Sequence, residues 1–96
     1  MHYPRFVHHI ITIIFLLFAL HALAATDNQS TIDSLIHLLD AEPALNTERV
    51  DRLNQLGYEY WISDPGLSIK NGSQALEIAK VIDYLQGEAY ANRVIG

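Results

Sequence analysis

Residues 47 to 83 read T-E-R-V-D-R-L-N-Q-L-G-Y-E-Y-W-I-S-D-P-G-L-S-I-K-N-G-S-Q-A-L-E-I-A-K-V-I-D: two runs of helical period with a stop and a fresh start between them. In the first run Val50, Leu53, Leu56, Gly57 and Tyr60 fall on one broad face, the recurrence of an amphipathic helix. It starts after Asn46 or Thr47 and reaches Trp61 or Ile62. Glu48 in its first turn suits the positive end of the helix dipole. Ser63-Asp64-Pro65-Gly66 then breaks the pattern. Asp64 can cap a new helix and Pro65 fits its first position. That helix runs from about Gly66 to Asp83, with Ser68, Gly72, Ala75, Ala79 and Ile82 in one stripe and Leu76 and Ile78 beside it. Small side chains let two helix backbones approach closely. Glycine at position 72 is about 1 kcal/mol worse than alanine inside a helix, and close packing would offset that.

Outward from this pair the reading stays helical. On the N-terminal side Asp27 to Ser30 form a polar lead. Ile32, Leu35, Ile36 and Leu39 then mark a helix from about Thr31 to Asp40, with Ser30 and Asp33 spaced like a capping box and Pro43 at or just past its end. On the C-terminal side Tyr84 to Gly87 read as a short turn, and Glu88 to Ile95 as a further helix. No segment alternates with a strand period, so the fold class is all-α.

The first 24 residues have a different character. Ile10 to Leu20, I-I-T-I-I-F-L-L-F-A-L, carry no charge; Arg5, His2, His8 and His9 precede them and H-A-L-A-A-T-D follows. A basic start, an apolar centre and a small-residue exit are the layout of an export signal. Ala22 and Ala24 supply the small-x-small pattern, which places cleavage after Ala24, or after Ala25 as second choice. The alternatives are an uncleaved anchor, since Phe6 to Ala25 approach the length of about 20 residues needed to span a bilayer, and a buried core helix. His8, His9 and His21 interrupt the anchor reading. The expected location is exported, periplasmic or associated with the cell envelope, with the membrane touched only through the leader if it stays uncleaved.

Composition removes several function classes. The chain has 96 residues, six Lys and Arg against eleven Asp and Glu, and a net charge of −5. That leaves no basic face to neutralise nucleic-acid phosphates. With no cysteine, disulfides and thiolate zinc sites are excluded. Past the leader only His37 remains among the histidines; Asp33 and Asp40 flank it, and a solvated helix face explains the trio better than a metal site. Asp51, Glu59, Asp64, Glu77 and Asp83 show no paired-carboxylate spacing. The serines have no G-x-S-x-G context, and no glycine-rich phosphate loop is present. The expectation is a non-enzyme with no cofactor.

The helix pair at 46–83 is followed by the start of a similar unit at 84–96, after a lead and helix at 25–45. Leu56-Gly57 has a counterpart in Ile95-Gly96, 39 residues later. Paired helices repeating every 34 to 45 residues or so point to a helical solenoid. Leu53, Leu56-Gly57 and Tyr60, then Ser68, Gly72 and Ala75, resemble the tetratricopeptide repeat family. Two positions depart from its pattern: Leu53 stands where tryptophan is usual, and the turn between helices is one residue shorter. The run from Ser30 to Ala91 resembles the N-terminal region of exported Bacteroidetes-type sensors and regulators that carry such repeats. The resemblance implies an antiparallel helix-turn-helix solenoid, about one and a half repeats plus a leading helix, acting in protein–protein contact. It also implies an inner groove lined by the first helix of each pair, which places Asp51, Asn54, Tyr58 and Trp61 there with Tyr90 and Arg93 of the next unit. Tyr58 and Trp61 have a second reading, packing against the helix of residues 31–40. The functional alternative is the sensor region of a histidine kinase, adenylate cyclase or transcriptional regulator whose output domain is not in this chain.

Each repeat buries its apolar face only by stacking on a neighbour. Three states are therefore open: a piece of a longer reading frame, self-association, or a marginal monomer. Export is checked by intact mass: the exported form is expected to begin at Ala25, and a form that retains Met1 overturns cleavage.

Overall fold

The computed structural model describes residues 28 to 96. Residues 31 to 96 form one unit, and 28–30 belong to the preceding one. The signal reading of residues 1 to 24, with Ala22 and Ala24, lies outside the described residues. Four helices and no strand occur among those described: α1 at 28–41, α2 at Thr47–Tyr60, α3 at Pro65–Val81 and α4 at Leu85–Ile95. None of them is long and apolar enough to cross a membrane.

The helix starts follow capping chemistry. Asn46 is extended, and its Oδ1 accepts from the Arg49 amide at 3.0 Å. Asp64 does the same for the Leu67 amide at 3.1 Å, with Pro65 opening α3. Each satisfies an amide that has no partner within its own helix. Two expected boundaries are corrected. Residues 28–30 are already helical, so Ser30 and Asp33 lie inside α1 and form no capping box. The apolar stripe marks only the buried length of a helix, and the polar residues 28–31 carry no such signal. Tyr84 to Gly87 is not a turn either, because α4 begins at Leu85.

The reason for the second correction is the way α3 ends. Asp83 takes a left-handed conformation at φ 56°. The Tyr84 amide then reaches back to the Ala79 carbonyl at 2.8 Å, and that of Asp83 to Lys80 at 3.4 Å. This is a Schellman closure, with aspartate where glycine is usual. A single residue reverses the chain, and the next helix starts at once.

Two apolar clusters hold the unit together. Val50 and Leu53 of α2, Ala75 and Ala79 of α3, and Ala91 of α4 form one, with Leu39, Leu76, Ile78, Ile82 and Tyr84 against it. Ile32 and Leu35 of α1 close on Leu56 of α2 to form the other, flanked by Leu39 and Tyr60. Arg49 ties the end of α1 and the linker after it to α2: its Nη1 donates to the Leu39 carbonyl of α1 at 3.1 Å and to the Glu42 carbonyl of the linker at 3.4 Å. Arg52 pairs with the Glu42 carboxylate at 3.0 Å.

Backbones meet most closely where α2, α3 and α4 converge. A Cβ built on Gly57 would lie 2.7 Å from Val94 Cγ1 and 3.1 Å from the Ser68 carbonyl oxygen; one on Gly72 would lie 2.9 Å from the same methyl. Val94 therefore fills a hole left by two glycines on two helices. Ser68 locks the seam by donating its buried hydroxyl to the Gly57 carbonyl at 2.7 Å. The small-residue stripe of α3 is buried at Ser68, Gly72, Ala75 and Ala79. At the other end of α4, Gly87 sits where a Cβ would meet Val50 Cγ1 at 2.6 Å and the Tyr84 ring at 2.5 Å. Gly57 meets Val94 while Val50 meets Gly87, so α2 and α4 run in the same direction, with α3 antiparallel to both.

Substitutions at glycine separate close packing from helix propensity. Gly57→Ala is expected to lower stability, because overpacking of about 1–3 kcal/mol outweighs the roughly 1 kcal/mol that alanine gains in a helix. Gly66→Ala, whose Cβ would meet only Asp64 Oδ1 at 3.5 Å, is expected to raise it. Asp83→Gly is expected to raise it by up to about 1 kcal/mol by relieving the left-handed residue. Urea titration followed by circular dichroism reads all three, and a stabilised Gly57→Ala would refute the seam.

Candidate functional site

The shared direction of α2 and α4 creates a groove between them. Asp51, Asn54 and Tyr58 on α2, with Trp61 at its C-cap, recur at three, four and three residues, so they form one stripe. On α4, Gln86, Tyr90 and Arg93 do the same. Levelled by the Val94–Gly57 and Gly87–Val50 contacts, the two stripes face each other across two adjoining hollows. The wider one, about 340 Å³, lies toward the helix N-termini and is walled by Asp51, Asn54, Gln55, Tyr84, Gln86, Tyr90 and Arg93. The narrower one, about 190 Å³, lies toward the C-termini and is walled by Tyr58, Trp61, Tyr90, Arg93 and Val94. Tyr90 and Arg93 belong to both.

All six residues expected in the groove therefore line it, with different roles. Asn54 is only 2% exposed. Its Nδ2 donates to the Gly87 carbonyl at 3.0 Å, while its Oδ1 is buried without a hydrogen-bond partner. A carbonyl can only accept, which fixes the amide's orientation. Asn54 is thus a floor residue that fastens α4 to α2. An orphaned buried acceptor costs about 1–3 kcal/mol.

Tyr58 and Trp61 are the opposite case, at 57% and 59% exposed. Their ring centroids are 6.4 Å apart, with planes tilted 35°. Packing against α1 is not what they do. Tyr60 takes that place, beside Ile32, Leu35 and Leu56. On a helix two positions turn a side chain through about 200°, so Tyr58 and Tyr60 look to opposite sides of α2. On the far wall the Arg93 guanidinium carbon stands 5.2 Å from the centre of the Tyr90 ring, within the range of a cation–π contact. Arg93 has no carboxylate within 4.0 Å among the described residues.

At the other end of the groove the Tyr84 hydroxyl donates to Asp51 Oδ1 at 2.8 Å. This hydrogen bond raises the tyrosine's pKa above its ordinary 10.0; slight burial and the negative charges of Asp51 and Glu48 push the same way. Gln55, Tyr84 and Gln86 were not expected in the groove. Gln86 shares the Gln86-Tyr90-Arg93 stripe at helical spacing, but only once α4 is known to begin at Leu85. No group of three His, Cys, Asp or Glu able to hold a metal ion occurs among the described residues.

Two measurements check the geometry. Asn54→Asp keeps the buried oxygen but loses the donor to the Gly87 carbonyl, and is expected to lower stability by at least about 1–3 kcal/mol, more than Asn54→Ala, which also removes the orphaned Oδ1. The Tyr84–Asp51 bond needs a neutral phenol. Because the folded pKa is raised, its contribution is full below about pH 10 and is lost as pH rises through the folded value. The margin of the native chain over Tyr84→Phe is therefore expected to be flat from pH 7 to 9 and to shrink above pH 10; a margin unchanged up to pH 11 would remove the bond. No family model, curated protein or solved structure matches the chain.

Proposed function

We propose that this chain is an exported, non-enzymatic, tetratricopeptide-like module that holds a segment of a protein partner in the groove between α2 and α4. One observation carries the reading. Tyr58 on α2 and Trp61 at its C-cap stay more than half exposed and face a third aromatic, Tyr90, across an open hollow. Exposed tyrosine, tryptophan and arginine gathered in a concave site are the residue types that dominate protein recognition. Small residues at Gly57, Ser68, Gly72, Ala75 and Ala79 support the repeat assignment, since they are buried where α2, α3 and α4 converge. The same direction of α2 and α4 is what consecutive repeats require. The leader motif at residues 1 to 24 supports export to the periplasm or cell envelope.

The test uses the full chain against a displayed library of random dodecapeptides. The native chain is expected to enrich peptides, and Tyr58→Ala or Trp61→Ala to lose at least tenfold in affinity for them while the thermal melt stays within a degree or two. Equal binding by both variants would remove the groove from the interaction. A melt that collapses would make the two rings structural.

A further inference from the structure

The two hollows differ in chemistry and share a wall, which sets a rule for what enters. The narrow one is mostly apolar, a notch between Tyr58, Trp61 and Tyr90 with Val94 at its base. The wider one is mostly polar and presents the amides of Gln55 and Gln86. Arg93 borders both, free of any carboxylate among the described residues and poised over Tyr90. The two hollows adjoin, with Tyr90 and Arg93 walling both, so a group at the Arg93 end of the wider one lies next to the notch. Two residues of extended chain cover about 6.6 Å, and side chains two apart face the same way.

From these features we infer that the groove selects an extended peptide in which an aromatic side chain and a carboxylate two residues away both face it. The aromatic side chain fills the notch. The carboxylate enters the wider hollow beside the Arg93 guanidinium, whose planar fork pairs well with two oxygens. Asp51, held by Tyr84 at the far end of that hollow, confines the negative charge to the Arg93 end. The net charge of −5 repels a long acidic run, so the partner offers one carboxylate among neutral residues. This inference rests on the groove being the place where a partner segment binds, and it adds the identity of that segment.

The same dodecapeptide library, panned against the full chain and against Arg93→Glu, tests it. The expected outcome is enrichment of aromatic-x-Asp or aromatic-x-Glu, in either direction, on the native chain. On Arg93→Glu the acid is expected to give way to Lys or Arg while the aromatic stays. For a single enriched peptide, Arg93→Gln should weaken binding about tenfold and flatten its salt dependence. Enriched peptides with no acid, or with an acid that Arg93→Glu does not displace, overturn the inference while peptide capture stands. If the native chain enriches nothing over the Trp61→Ala variant, both readings fall. Sedimentation covers the remaining occupant: a dimer that Trp61→Ala dissociates assigns the groove to a second copy of the chain and overturns the inference.

Discussion

One methyl group sets the geometry of this unit. Val94 Cγ1 stands where both Gly57 and Gly72 would carry a Cβ, so three helices touch at one point through the smallest residue and a branched one. Bulk at either glycine separates α2 from α3, or α3 from α4. A smaller residue at 94 leaves a hole that the surrounding backbones cannot close. Everything that faces the groove hangs on this contact, because it fixes the level of α4 against α2. Tyr90 and Arg93 stand across from Asn54 and Tyr58 on that account.

The polar contacts at the seams work alongside it. The Ser68 hydroxyl and the Asn54 amide are both buried, and both bond to a main-chain carbonyl on a neighbouring helix. Buried polar groups of this kind contribute little net stability when satisfied but penalise every arrangement that leaves them unpaired. They therefore select one register of helix against helix, where a seam of alanines and glycines alone would slide. Among the described residues, the unpaired Oδ1 of Asn54 is where the selection is incomplete.

Much of this was legible in the sequence, and the parts that were not have a common cause. Asn46, Asp64 and Pro65 announce helix starts through local hydrogen bonding that depends on few neighbours. The small stripe of α3 announces its buried face by periodicity. The errors fall where periodicity is silent. Residues 28 to 30 are polar and exposed, so nothing in their pattern marks them as helix. The start of α4 was misplaced because a left-handed aspartate closes α3 in one residue, whereas Gly87, which looks like a turn glycine, is an interhelical contact. In the groove, Asp51, Asn54, Tyr58, Trp61, Tyr90 and Arg93 follow from the repeat register that the resemblance implies. That register does not distinguish the buried Asn54 from the exposed rings, since a side chain's burial depends on what the neighbouring helix brings to it.

The two main-chain carbonyl contacts have a consequence for how such a surface changes over time. Asn54 grips α4 at the Gly87 backbone, and Ser68 grips α2 at the Gly57 backbone. Asn54 floors the wider hollow, but its grip and that of Ser68 both end on main-chain atoms. The frame and the four side chains above that floor are thus written in different positions. Tyr58, Trp61, Tyr90 and Arg93 take part in neither bond, so changing them leaves both grips in place. A change at those four positions alters what the groove prefers while the two main-chain grips that hold the frame stay as they are.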